Sequence, residues 1–159
     1  MKRILTITLV LIFAIMMVAC GSSTGEVEQS AESSESVAES QEATTEMKLL
    51  IGEQEVQVQW ENNDAVNALK DQVNDAPLTI DMSMYSDFEQ VGELGMDLPA
   101  NDKQIETEAG DIMLYSGDKI VVFYGTNSWA YTPLGKIQNK TSDELTELLG
   151  NGDVSITLK

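Results

Sequence analysis

The chain has 159 residues, a formal net charge of −18, a single cysteine and no histidine. Arg3 is the only arginine. A charge this negative excludes nucleic-acid binding, which needs a cationic surface. The missing histidine excludes Ser-His-Asp and Cys-His catalysis in their usual forms, together with histidine zinc sites.

The first predicted element is a secretory signal over residues 1–19, in which two basic residues precede the apolar run 4–19. Residues 17–20, Met-Val-Ala-Cys, resemble the cleavage site of bacterial lipoprotein precursors, with methionine in place of the usual leucine. The resemblance implies cleavage before Cys20, diacylglycerol on its sulfur, and an outward-facing anchor on the cell membrane.

Two other interpretations of this segment stay open. An uncleaved transmembrane helix is one, although the apolar run is shorter than the ~20 residues that a spanning helix needs. A secreted protein with a free thiol at Cys20 is the other, although an unpaired extracellular cysteine is a liability.

Residues 20–46 are predicted to form a disordered acidic linker on the lipid anchor. They contain seven glutamates, no basic residue and no aromatic residue, so they cannot bury enough apolar surface to fold. Loss of residues 1–19 would leave 7 basic and 27 acidic residues, a net charge of −20. The electrostatic field of so negative a chain would attract cations and cationic peptides. The alternative is that the charge only keeps the molecules soluble by mutual repulsion.

Residues 47–159 are predicted to fold as one domain. A strand over 47–51 and an alternating strand over 55–60 form a hairpin, and a helix follows, capped by Asn62 or Asn63 and running to about Val73. A further strand extends from Pro77 through Met84. Residues 86–101 are predicted to be a long irregular stretch.

The second half gives the densest pattern. Apolar strands over 112–115 and 120–124 are joined by a hairpin turn, and a helix over 143–149 is followed by a last strand over 154–158. Thr141 or Ser142 caps this helix and Gly150 ends it. About eight short strands and two helices predict a mainly β fold, a closed barrel whose open ends are covered by the helices.

This order of elements resembles the bacterial cyclophilin-like domains over all of residues 47–159. The sharpest similarity lies at residues 110–115, 123–125, 128–131 and 134–137. True cyclophilins are peptidyl-prolyl isomerases in which an arginine stabilises the twisted prolyl amide, beside an apolar groove floor. The resemblance matches Tyr131 to the family's groove histidine and Phe123 to its groove phenylalanine, but leaves the arginine without a counterpart.

The candidate binding residues are aromatic. Phe123, Trp129 and Tyr131 are predicted to line a groove for an extended peptide or small apolar ligand, with Tyr85 and Phe88 on the opposite wall. Ordinary barrel core is the alternative, above all for Phe123. We predict no metal or cofactor, because the aspartates near turns lack calcium-loop spacing; these are Asp97, Asp102, Asp111 and Asp118.

The predicted function is a membrane-anchored, extracytoplasmic binding module without catalytic residues. This prediction rests on two observations: the chain has aromatic residues at the positions of the family's groove, and it has no counterpart of the family's arginine. One alternative is a weak peptidyl-prolyl isomerase that assists the folding of exported proteins. Another is a structural module of an envelope complex.

Overall fold

The computed structural model describes residues 46–159, so Cys20, the predicted signal and nearly all of the predicted linker lie outside the described residues. No helix in this described part is long and apolar enough to cross a membrane. The elements are β1 Leu49–Ile51, β2 Gln54–Val56, β3 Val58–Trp60, α1 Asp64–Asp75, β4 Leu78–Tyr85, β5 Glu89–Glu93, β6 Lys103–Glu106, β7 Asp111–Tyr115, β8 Lys119–Phe123, β9 Ser128–Ile137, α2 Ser142–Leu149 and β10 Val154–Leu158.

Nine antiparallel strands form a nearly closed barrel in the order β2-β1-β10-β4-β5-β8-β7-β9-β3, and β6 pairs with the first half of β9. The two ends of this order, β2 and β3, are separated by Gln57 alone. Its carbonyl accepts a hydrogen bond of 2.8 Å from the backbone N–H of Gln138. One bent segment therefore pairs with β1 on one side and β9 on the other, which removes the free edges of the sheet.

The predicted fold class is confirmed: a mainly β barrel with two helices. The predicted strand over residues 55–60 bends at Gln57 and forms two strands, β2 and β3. The last strand, Val154–Leu158, has the predicted bounds.

Both helices begin at the predicted capping residues. The Asn63 side chain accepts a hydrogen bond of 3.0 Å from the Val66 backbone N–H, and Thr141 forms a capping box with Glu144. Helix α1 joins β3 to β4, and α2 joins β9 to β10. Because β3 is antiparallel to β9 and β4 to β10, the helices lie at opposite ends of the barrel.

The barrel interior is filled almost entirely by aliphatic side chains. Its largest fully buried members come from strands and helices alike: Leu49, Leu69, Met82, Ile112, Leu114, Ile120, Leu134, Leu145, Leu149, Ile156 and Leu158. Gln90 is the polar exception, because its Nε2 donates to the carbonyl oxygens of Leu149 and Gly152, at 2.6 and 2.7 Å. This satisfies carbonyl groups that the end of α2 leaves without helical partners.

One prediction about the fold was wrong. Residues 86–101 are not irregular throughout, because Glu89–Glu93 forms β5 and pairs with both β4 and β8. The turn between β4 and β5 has positive φ at Ser86 and Asp87, 51° and 57°. Such turns are usually marked by Asn-Gly, which is missing here. The polar pair Glu89 and Gln90 also hides the alternation of the strand.

Candidate ligand-binding groove

A second apolar cluster lies on the outer face of the barrel wall. Strand alternation places Gln90 and Val122 toward the interior and their neighbours outward. The outward residues line up across β5, β8 and β7, for example Val91 with Val121 and Val121 with Met113. The cluster has a buried base of Met113, Val121, Phe123 and Tyr131, with Phe88, Val91, Ile105 and Tyr115 packed against it.

A cavity of about 590 Å³ opens above this cluster, and we call it the groove. Its volume is within the usual range for small-molecule sites. It is lined by Tyr85, Ser86, Phe88, Glu89, Val91, Tyr115, Lys119, Val121, Asn127, Trp129 and Tyr131.

The groove collects four of the five predicted binding residues. Tyr85 and Trp129 are 60% and 57% exposed, whereas Tyr131 is only 4% exposed. Phe88 also lines the cavity and meets Tyr85 edge-on, with ring centroids 6.4 Å apart. Phe123 is fully buried and does not line the cavity; it packs beneath Tyr131, with centroids 5.5 Å apart. For Phe123, the alternative of an ordinary core residue agrees better with its burial.

Tyr115, which the sequence reasoning did not select, also lines the groove. Its ring packs edge-on against Tyr131 with centroids 6.0 Å apart. The register of the β7–β8 hairpin could have identified Tyr115. It pairs with Lys119, and this pair lies on the same face as the pair Met113 and Val121. Alternate positions of a strand share one face, so Tyr115 follows Met113 onto the outer surface.

The wall that holds Phe88 is fixed to the end of β8 by the backbone. The Phe88 carbonyl accepts hydrogen bonds from the N–H groups of both Tyr124 and Gly125, each at 2.9 Å. A Cβ atom at Gly125 would lie 2.7 Å from the Phe88 Cβ, closer than real contacts of this kind. Glycine at position 125 therefore permits the approach that positions this wall.

Asn127 is held in place by both its backbone and its side chain. Its backbone exchanges hydrogen bonds with the fully buried Thr107, from Asn127 N–H to Thr107 Oγ1 at 2.9 Å and from Thr107 N–H to the Asn127 carbonyl at 2.8 Å. Its Oδ1 accepts from the Ser128 N–H at 2.8 Å, and its Nδ2 donates to the Tyr131 hydroxyl at 3.0 Å. These four hydrogen bonds hold Asn127 in one orientation beside the groove.

Glu89 is the groove residue that sequence reasoning missed and that departs most from ordinary behaviour. It is 5% exposed, and its Oε2 has no hydrogen-bond partner among residues 46–159. Burial raises its pKa to about 7, against a lowering effect of a hydrogen bond from Asn127. A buried acceptor without a hydrogen-bond partner lowers the free energy of unfolding by about 1–3 kcal/mol. No contact within residues 46–159 offsets this loss for Glu89 Oε2.

The same carboxylate influences the tyrosines around it. The pKa of Tyr131 is raised to about 12, first by burial and then by the negative charge of Glu89. The pKa of Tyr124 is also raised, by burial and then by the charges of Asp87 and Glu89. Both phenols are therefore neutral hydroxyl groups at neutral pH, and neither supplies a charge to the groove.

Of the residues that the structure describes, Lys119 is the only basic one that lines the groove. Its Nζ lies 2.9 Å from Asp118 Oδ1 and 3.3 Å from Glu93 Oε1. The hydrogen bond to Asp118 leads the effects that raise the lysine pKa. Lys119 pairs with Glu93 in the ladder, four residues from Glu89, which is about 13 Å along a strand. The charge of Lys119 is therefore neutralised at the other end of β5 and does not balance the charge of Glu89.

Three of the four turn aspartates contact local donors. Asp102 Oδ1 accepts from Thr132 Oγ1 at 2.6 Å, Asp111 Oδ1 lies 3.0 Å from Lys136 Nζ, and Asp118 holds Lys119. Within the described chain, no group of three or more acidic side chains is arranged to hold a metal ion. These contacts give the three aspartates structural roles.

Comparison with known proteins identifies the domain. The model of the cyclophilin-like family matches residues 49–159, which include every strand and both helices described above. Comparisons with curated proteins and with solved structures gave no match. Since the match covers more than half of the sequence, the chain belongs to the cyclophilin-like family.

Proposed function

We propose that residues 47–159 are a non-catalytic binding module, which holds an extended peptide or a small apolar ligand in the groove. The observation that carries the proposal is the open aromatic cavity, in which Trp129 and Tyr85 keep more than half of their surface exposed. Large rings left in water beside a concave apolar surface are typical of binding sites.

The contacts that hold the groove walls in place support the same function. The Phe88 wall is fixed by the backbone of Gly125, and Asn127 is fixed by Thr107. A cavity that is already ordered loses little conformational entropy when it takes a ligand, which favours affinity. A floor of packed rings, Tyr131 over Phe123, adds a stiff apolar base.

A weak peptidyl-prolyl isomerase is the alternative, because the chain belongs to the cyclophilin-like family. The family's reaction relies on a cation at the prolyl amide. Lys119 is the basic residue that the described part of the chain brings to the groove, and its ammonium is held by Asp118 and Glu93. This arrangement favours binding over isomerisation.

The proposal extends to location. A lipid on Cys20 would anchor the protein to the outer side of the cell membrane, and the acidic linker would hold the domain away from that surface. The support is the sequence of residues 1–46 alone. Mass spectrometry of the protein purified from membranes would test it, since cleavage before Cys20 and a diacylglycerol adduct give a defined mass.

The binding function is tested by titrating the full-length protein with a panel of N-acetylated, C-amidated tetrapeptides that vary one residue at a time. Calorimetry gives the affinity, and tryptophan fluorescence reports the site. We expect Trp129→Ala to weaken the best peptide by about tenfold or more, because it removes an exposed ring of the cavity. Trp60→Phe is the control, because Trp60 packs against the barrel core and does not line the groove.

Two outcomes would contradict the proposal: no peptide of the panel binds, or Trp129→Ala binds as well as the unchanged protein. A protease-coupled assay on a prolyl peptide addresses the alternative. Isomerase activity above background that Trp129→Ala abolishes would favour an enzyme over a binding module.

A further inference from the structure

Among residues 46–159, no basic side chain forms an ion pair with the Glu89 carboxyl of the groove. Glu89 lies at the start of β5, where it pairs with Tyr85 of β4 on one side and Phe123 of β8 on the other. Both neighbours across the ladder are aromatic. The one lysine of the groove is held elsewhere by two other acids, Asp118 and Glu93.

Other charged and titratable groups near Glu89 do not balance it. From the β4–β5 turn, Asp87 adds a second negative charge close to Tyr124, and Tyr124 and Tyr131 are un-ionised phenols. From the loop before β9, Asn127 carries no charge, and its Nδ2 donates to the Tyr131 hydroxyl. The electrostatic potential on this wall is therefore negative. The domain as a whole is also negatively charged, because residues 47–159 contain 20 acidic and 7 basic side chains.

Aromatic rings line the same cavity as this carboxyl. Tyr85, Phe88, Tyr115, Trp129 and Tyr131 all line the same cavity, and they are five of the eight aromatic residues that follow residue 46. The faces of aromatic rings carry partial negative charge and attract cations that lie within about 6 Å of the ring centre. Rings combined with one carboxylate make a site that favours an organic cation over a neutral molecule of the same shape.

We propose that the groove recognises an organic ammonium group, held by the Glu89 carboxylate and the aromatic rings of the cavity. The inference rests on the proposed binding function and names the class of its ligand. A trimethylammonium group of a small molecule and the ammonium of a lysine side chain share this chemistry. A cation in the groove would balance the charge of a buried acid that has no basic partner among residues 46–159.

Competition with protons follows from the same geometry. Burial keeps the Glu89 pKa near 7, so the carboxyl is mostly protonated in mildly acidic solution and ionised at pH 8. A cation binds the ionised form, so its affinity should rise from pH 6 to pH 8. A neutral ligand should show little of this dependence.

The test compares charged and neutral molecules of matched shape by calorimetry at pH 8, on the full-length protein. One pair is choline and 3,3-dimethylbutan-1-ol, and the other is Nα-acetyl-lysinamide and Nα-acetyl-norleucinamide. We expect at least one ammonium compound to bind about tenfold tighter than its neutral partner, and this preference to vanish in Glu89→Gln. Preference within the first pair indicates a quaternary ammonium, and within the second pair a lysine side chain.

Glu61→Gln is the matched control, because Glu61 is exposed, carries the same charge and lies outside the groove. It should retain the preference for the cation. Glu89→Gln should be folded at pH 8, which urea denaturation shows independently of any ligand.

Equal affinity for charged and neutral partners overturns the ammonium inference, as does a charge preference that persists in Glu89→Gln. In either case binding of the neutral compounds or of the tetrapeptides leaves the binding function standing. If neither these compounds nor the tetrapeptides bind, the binding function itself fails.

Discussion

The barrel interior and the groove lie on opposite faces of the same strands, yet they are built from different side chains. The interior is aliphatic, with Tyr124 as its one buried aromatic residue. The groove collects aromatic rings and an unpartnered acid, Glu89. Buried aliphatic side chains stabilise the fold, whereas exposed rings contribute little to stability and a buried carboxyl lowers it. Such residues are expected where they have another role. The interior therefore maintains the fold, and the groove is the face on which selection for binding would act.

The sharpest way to separate the two regions is to remove a fully buried interior side chain. Leu69 of α1 is 0% exposed, so Leu69→Ala should lower the free energy of unfolding by about 2–5 kcal/mol. Urea denaturation measures this loss. The fraction that stays folded should bind tetrapeptides unchanged, because Leu69 does not line the groove.

Lys70→Ala, on the same helix, is the matched control and should change stability by less than about 0.5 kcal/mol. A large loss of peptide affinity in folded Leu69→Ala would break the comparison, since it would mean that interior and groove act as one unit.

Gly125→Ala tests the contact that positions the groove wall. The new Cβ would lie 2.7 Å from the Phe88 Cβ and 3.2 Å from its Cα, so the turn at residues 86–88 must shift. We expect a loss of about 1–3 kcal/mol in the free energy of unfolding, as for other overpacked sites. Nuclear magnetic resonance should show shift changes concentrated at groove residues, with little change in the interior.

Thr126→Ala is the control for this substitution, because residue 126 is exposed and adjacent. If Gly125→Ala leaves both stability and the groove signals unchanged, the close approach of Phe88 does not constrain the wall.

Glu89→Gln tests whether the groove acid lowers the stability of the fold in a pH-dependent way. The pKa of Glu89 is raised from 4.5 to about 7 in the folded protein, so the folded state holds a proton that the unfolded state has released between these values. Its carboxyl therefore lowers the stability progressively as pH rises from 4.5 to 7, and by a constant amount above 7. At pH 8, Glu89→Gln should be more stable than the unchanged protein by about 1–3 kcal/mol.

Thermal and urea denaturation from pH 4.5 to pH 8 measure this difference, with Glu61→Gln as the exposed control. The difference between Glu89→Gln and the unchanged protein should grow with pH and level off above 7. A difference that is flat with pH would show that Glu89 titrates as an ordinary surface acid.

Elements with local signals could be predicted from the sequence. Asn63 and Thr141 cap the two helices as expected, because a side-chain acceptor before an amphipathic stretch satisfies free N–H groups. The β7–β8 hairpin was recognisable from two apolar runs around a turn with positive φ at Ser116 and Gly117. Such signals depend on neighbouring residues only.

The remainder depends on pairing between distant segments. Strand β5 is not apparent in the sequence, because its Glu89-Gln90 start is polar and each side chain is buried for a tertiary reason. Gln90 is buried against the end of α2, some sixty residues away, and Glu89 is covered only once β5 lies beside β8. Four aromatic residues of the groove could be named from the sequence, but its acid could not, because no local pattern marks a carboxylate that strand pairing buries.

The place of β10 has a consequence for how the chain is made. This strand lies between β1 and β4, so it joins the first strands to the rest of the wall. It is also synthesised after every other described strand, at residues 154–158. A growing chain can form its hairpins early, but the barrel wall keeps a gap until residue 158 has emerged. Completion of the wall therefore waits for this last strand, and deletion of residues 154–158 should leave a chain that collapses without closing.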